Sequence, residues 1–129
     1  METINKKHES ITSNRRVDLA AYFKMESDKS VYFSAGAIHK FGLKGMYIHF
    51  QNDEDKWYFY CNDDTDGFKL LNRPGKTARI ICDASLVSLI KKRTRCGIGA
   101  KFLINATNAK LKDNNIMEID FKKPINDHN

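Results

Sequence analysis

Between Lys69 and Lys112 the chain carries eleven basic residues (Lys69, Arg73, Lys76, Arg79, Lys91, Lys92, Arg93, Arg95, Lys101, Lys110 and Lys112) against Asp83 alone. Lys and Arg that neutralise phosphates release condensed counterions and steer a polyanion inward. The whole chain has a formal charge of +6, so the segments on either side of this cation are mildly acidic. Such segregation goes beyond what solubility requires. A second set of residues has a different chemistry. Tyr47, Tyr58 and Tyr60 alternate with apolar residues across two β-prone runs, 46–50 and 57–61. A row of tyrosine rings on one sheet face is a surface on which unpaired bases stack, and equally one that a helix or a partner covers.

Other chemistries are tested by spacing and set aside. Cys96 lies among Lys91, Lys92, Arg93 and Arg95, which favour a thiolate, but no His neighbours it in sequence to act as a base. The run Asn62-Asp63-Asp64-Thr65-Asp66-Gly67 is superficially a calcium loop, yet its twelfth position is Arg73 where a bidentate Glu belongs. Gly75-Lys76-Thr77 ends like a phosphate loop, but the first glycine of that motif would fall at Leu70. The glycines of Arg95-Cys96-Gly97-Ile98-Gly99 follow a helical stretch and do not open one, which excludes a dinucleotide fingerprint. No His, Asp, Glu or Ser set has a recognised catalytic spacing, so the reading is non-catalytic, without cofactor or metal. Three scattered cysteines, Cys61, Cys82 and Cys96, fit reduced thiols. With no apolar run long enough for a membrane span and no secretion signal, they place the protein in the cytoplasm, away from membranes.

Elements that position these residues follow from periodicity. The segments 46–50 and 57–61 pair as an antiparallel hairpin across an acidic turn, with Phe50 set opposite Trp57. Met46, Ile48, Phe50, Trp57, Phe59 and Cys61 then share a core face, and Tyr47, His49, Tyr58 and Tyr60 the other. Val31 to Ser34 is a strand, Ser34 an N-cap, and a short helix follows to Gly42–Gly45. Strands are expected over 67–71, 78–82, 100–106 and 116–121, with a helix from Leu86 to about Thr94 capped by Asp83 or Ser85. Val17 to Met25 fits either a strand or a short helix. The sum is one α+β domain over 17–123, a twisted antiparallel sheet of about six to seven strands with two short helices. A flexible arm, 1–16, precedes it and a tail, 124–129, follows.

Strand-helix-strand-strand occurs twice in this order, over 31–61 and 78–121, a pseudo-repeat of pattern. In the first copy, Phe33-Ser34, Ala37-Ile38, Phe41-Gly42-Leu43, Gly45 and Tyr47-Ile48 resemble the swapped-hairpin DNA-binding proteins of the AbrB and SpoVT type. That resemblance covers about a quarter of the chain and implies a homodimer with basic residues on an interlaced β layer meeting duplex DNA. From Met46 to Thr94 the order of four strands and a helix is similar to the Whirly and coactivator-type single-strand binders, in which a curved basic and aromatic sheet receives the strand.

Together these features predict non-catalytic binding of nucleic acid, DNA ahead of RNA. Arg73, Lys76, Arg79, Lys91, Lys92, Arg93, Arg95 and Lys101 would meet phosphates, and Tyr47, Tyr58 and Tyr60 would meet bases or a partner. The competing expectation is a protein-interaction or structural module, such as an accessory protein of a phage or mobile element, whose basic segment meets an acidic protein.

Overall fold

A computed structural model describes residues 20–43 and 47–125. The arm expected over 1–16, Met46 at the start of the predicted hairpin, and residues 126–129 of the tail lie outside the described residues.

Among the described residues, alternation of apolar and polar side chains builds nine strands into a single antiparallel sheet. In chain order they are β1 (Tyr22–Ser27), β2 (Ser30–Phe33), β3 (Tyr47–Asp53), β4 (Lys56–Asn62), β5 (Phe68–Lys69), β6 (Leu71–Arg73), β7 (Lys76–Cys82), β8 (Lys101–Leu111) and β9 (Asn114–Pro124). Helix α1 (Ala35–Phe41) follows β2, and helix α2 (Ala84–Thr94) follows β7. The α+β class with two helices stands, but the expected six to seven strands are nine. Two local causes account for the difference. The open segment before Glu26 is a strand, because Phe23 and Met25 are wholly buried while Tyr22, Lys24 and Glu26 alternate with them. The strand expected over 67–71 is divided at Leu70, which bends the chain so that β5 pairs with β3 and β6 pairs with β7.

That division closes the sheet. In the order β5-β3-β4-β9-β8-β1-β2-β7-β6, the two outermost strands are successive pieces of one chain segment joined by Leu70 alone. The sheet therefore curls into a nearly closed barrel, the arrangement that removes exposed strand edges. Leu70 is 3% exposed and packs in the core between the two edges. Phe23, Phe33, Phe59 and Phe102 fill the interior, meeting edge to face, for example Phe23 on Phe33 at 5.3 Å between ring centroids.

The pairing has an internal two-fold pattern. Strand β1 lies between β2 and β8, and the β5–β6 segment lies between β7 and β3; β2 pairs with β7, and β4 with β9. Strand-helix-hairpin units β2-α1-β3-β4 and β7-α2-β8-β9 thus occupy equivalent places, each hairpin reaching across to the other half. Because β2 and β7 run antiparallel, the helices that follow them leave from opposite ends of the barrel.

Both helices have caps that the sequence announces. Ser34 Oγ accepts from the Ala37 N–H at 3.1 Å, and Asp83 Oδ1 accepts from the Leu86 N–H at 2.8 Å. Helix α1 ends at Gly42 in the left-handed region, φ 67°.

In the β3–β4 hairpin the partner of Phe50 is Phe59 and not Trp57, while Asn52 faces Trp57 and Asp53 faces Lys56. The turn is shorter than expected because Glu54 adopts a left-handed φ of 59°, allowing the strands to extend to Asp53 and Lys56. A register displaced by two residues leaves each side chain on its expected face. Ile48, Trp57 and Phe59 are buried, with Phe50 and Cys61 packed against them.

Candidate nucleic-acid interface

The outward face of β8, β1, β2, β7 and β6 carries rings and cations together. Lys24 lies directly opposite Tyr32 on one side and Lys101 on the other, so these three side chains form a row across β2, β1 and β8. Tyr22 stands beside them, opposite Leu103. The Tyr22 and Tyr32 rings are 5.9 Å apart, tilted by 32°, and both are half-buried. Lys101 Nζ is 5.0 Å from the centre of the Tyr22 ring; Lys24 Nζ and the Arg73 guanidinium lie 5.6 and 5.5 Å from that of Tyr32. Tyr22, Lys24, Glu26, Tyr32, Arg73, Lys76 and Ala78 line a groove of about 280 Å³.

The backbone fixes Tyr22 through one buried hydroxyl. Ser34 Oγ accepts from the Tyr22 N–H at 2.9 Å as well as from Ala37, and donates to the Ala20 carbonyl at 2.7 Å. All of its hydrogen-bonding capacity is used, so the helix cap and the start of β1 are locked to one another.

Four cations, Lys24, Arg73, Lys76 and Lys101, therefore surround two tyrosines, with Glu26 as the carboxylate lining the groove. Glu26 Oε2 takes an ion pair from Arg73 Nη1 at 2.6 Å. Lys24 and Lys101 are like charges paired on neighbouring strands, with their ammonium groups directed over different rings. Burial, and after it the adjacent Tyr22 hydroxyl, raises the Tyr32 phenol above its ordinary pKa, with Arg73 opposing them weakly. Tyr32 is accordingly a neutral ring with a donor hydroxyl at physiological pH.

Of the residues expected to meet phosphates, Arg73, Lys76 and Lys101 belong to this face. Arg79 does not. It sits opposite Phe33 on the inward side of β7, donates from Nη1 to the carbonyls of Thr77 and Ala78, and keeps a buried Nε without a partner. The cations of α2 form a separate group: Lys91 pairs with Asp28 in the β1–β2 turn at 3.2 Å, Arg93 donates to Asn52 Oδ1 at 2.6 Å, and Lys92 and Arg95 are exposed. Lys110 and Lys112 lie at the β8–β9 turn. Lys69 stands apart on β5, opposite Tyr47, so one run of positive charge in the sequence is distributed over four places on the surface.

The tyrosines expected to stack bases are outward, as alternation requires, but their surroundings differ from those of a basic platform. Tyr60 is only 7% exposed and stacks on His49, ring centroids 4.8 Å apart and nearly parallel. His49 Nε2 lies 2.8 Å from Asn62 Oδ1, and Gly67 crosses so close that a Cβ there would stand 2.8 Å from His49 Nε2. Tyr58 lies opposite Glu118, and Tyr47 lies between Asn62 and Lys69. The sequence reading missed Tyr22, Tyr32 and Lys24. For Tyr22 and Lys24 the signal was the strict alternation Tyr22-Phe23-Lys24-Met25-Glu26, which marks a half-buried strand with a polar aromatic face.

Among the described residues no helix is long and apolar enough to cross a membrane. Comparison with protein-family models, with characterised proteins and with solved structures finds no match to this chain.

Proposed function

We propose that the protein binds nucleic acid without catalysing a reaction on it, through the outward face of β8-β1-β2-β7-β6. The observation that carries this reading is the set of four cations around Tyr22 and Tyr32, with a carboxylate inside the groove that Arg73 already neutralises. Phosphates meet Lys24, Lys76 and Lys101, and the rings meet bases or sugars. The exposed Lys92 and Arg95 at the end of α2 add a second basic region for a longer strand.

Fluorescence anisotropy of labelled oligonucleotides across a salt series tests this. Affinity should fall steeply with salt, and replacing Lys24 and Lys76 by Ala should flatten the logarithmic slope by roughly 1.4 to 1.8 units, the share of two phosphate contacts. Absence of binding to any oligonucleotide at low salt overturns the proposal.

A second reading, docking of an acidic protein, draws on a different place. Phe50, Trp57, Phe68, Leu86 and Leu89 line a crevice of about 420 Å³ between α2 and the β3–β4 hairpin, with Arg93 and Asp83 also in its lining. Leu89 is 41% exposed there, as an apolar contact with an acidic partner would use it.

A further inference from the structure

We infer, resting on the nucleic-acid reading above, that the strand received on this face is single, with one unpaired base stacked on Tyr22 and a neighbouring one on Tyr32. Successive bases in a duplex repeat about every 3.4 Å along each strand. The two rings are 5.9 Å apart and tilted by 32°, so bases seated on both are drawn apart from helical stacking. Within a duplex the flat faces of the bases are covered by their neighbours, and a protein meets only their edges in the grooves. Ring faces of tyrosine have no partner on such edges, whereas every unpaired base offers a π-face.

The shape of the site agrees. A duplex is read by an element that projects into its groove, a helix or a two-stranded ribbon. Here the rings and cations line a concave groove on a sheet surface, bounded by Tyr22, Lys24, Tyr32, Arg73 and Lys76. Concavity suits a chain that lies down in it.

The cations complete the site. Lys101 stands 5.0 Å over the Tyr22 ring, and Lys24 and Arg73 stand at 5.6 and 5.5 Å over Tyr32. A base that takes the ring face exchanges places with an ammonium head whose stem is anchored beside it, and brings that head a phosphate of the same nucleotide. Lys24 and Lys101 are paired across neighbouring strands, each with its ammonium over one of the two rings, so a phosphate between the stacked bases would lie beside both stems.

The test measures binding of a labelled oligothymidylate and of a duplex of equal length at one low salt concentration. The single strand should bind at least tenfold more tightly. Tyr22→Leu and Tyr32→Leu should each weaken the single strand on the order of tenfold and leave duplex affinity unchanged, and Tyr22→Phe and Tyr32→Phe should retain binding because the ring remains. The emission of Trp57, buried at 2% exposure, reports whether each variant is folded. Should a Leu variant unfold, photo-crosslinking of the intact protein to a single strand carrying 5-iodouracil replaces it, with adducts expected at Tyr22 or Tyr32. Equal affinity for both nucleic acids, insensitive to the tyrosines and sensitive to Lys24 and Lys76, overturns the single-strand inference and leaves the nucleic-acid reading standing. Adducts confined to other residues overturn it likewise. Failure of both nucleic acids to bind removes the reading itself and the inference with it.

Discussion

Arg73 is held to Glu26 by an ion pair of 2.6 Å while its guanidinium lies 5.5 Å from the centre of the Tyr32 ring, so the carboxylate decides how much of that cation a ligand can use. Glu26→Gln removes the competing charge. Because both side chains are partly exposed, the loss of stability should be small, about 0 to 1 kcal/mol. Oligonucleotide affinity should rise a few-fold and the salt slope should steepen by about one phosphate contact. A fall in affinity at unchanged stability would mean that Glu26 instead holds Arg73 in its binding position.

Ser34 connects the helix cap with the candidate interface. Ser34→Ala leaves the N–H groups of Tyr22 and Ala37 without their acceptor in a position that is 2% exposed. Thermal or denaturant unfolding should show a loss of about 1 to 3 kcal/mol. Single-strand binding should weaken as well, since Tyr22 loses its anchor. Binding unchanged in a destabilised variant would detach the cap from the interface.

Leu70 joins the two edges of the sheet. Leu70→Ala should cost about 2 to 5 kcal/mol, the range for a buried leucine. Amides in β5, β6 and the adjoining parts of β3 and β7 should gain hydrogen exchange before those of β4 and β9. Uniform acceleration throughout the sheet would show that Leu70 contributes only volume and not closure.

Cys61 gives a pH dependence of definite sign. Burial, and secondarily Asp63, pushes its thiol pKa up to about 12 from a reference of 9.0. Between those values the unfolded chain has lost the proton and the folded chain has kept it, so stability falls as pH rises from about 9 and the loss is complete near 12. Cys61→Ala should flatten the wild-type profile over that window and leave it unchanged below it. At pH 8 alkylation should mark the exposed Cys82 and spare Cys61 in the folded protein.

Local patterns were legible wherever one residue decides the outcome. Ser34 named one helix start; for the other, Asp83 and Ser85 were both candidates and Asp83 is the cap, so the helix begins at Ala84 and not Leu86, and the first helix ends at Gly42, the near end of its expected range. The faces of the β3–β4 hairpin were legible from alternation alone, although the register was not: a left-handed Glu54 shortens the turn, and nothing in its side chain announces that conformation. Long-range facts were hidden. The inward turn of Arg79 follows from its pairing with Phe33, on a strand far away in sequence. The division at Leu70 also depends on two partners that the segment meets only when the barrel is assembled. For the candidate site, charge in the sequence pointed to Arg73, Lys76 and Lys101, and the alternation from Tyr22 to Glu26 marked β1, but the juxtaposition of Tyr22 with Tyr32 depends on β1 and β2 being neighbours.

The two-fold pairing pattern has a last consequence. Two identical subunits building such a barrel would have to display every group twice, and any change that improved one copy of a strand would be imposed on the other. Joined in one polypeptide, the equivalent strands are released from that obligation. Strand β1 has become an aromatic and cationic surface, with Tyr22, Lys24 and Glu26 turned outward. Its counterpart, the β5–β6 segment, joins β3 to β7 as β1 joins β8 to β2, but it is broken at the buried Leu70 into two short strands. Asymmetry of this kind leaves the barrel with two unlike sides, and the groove of Tyr22, Lys24, Tyr32 and Arg73 lies on one of them.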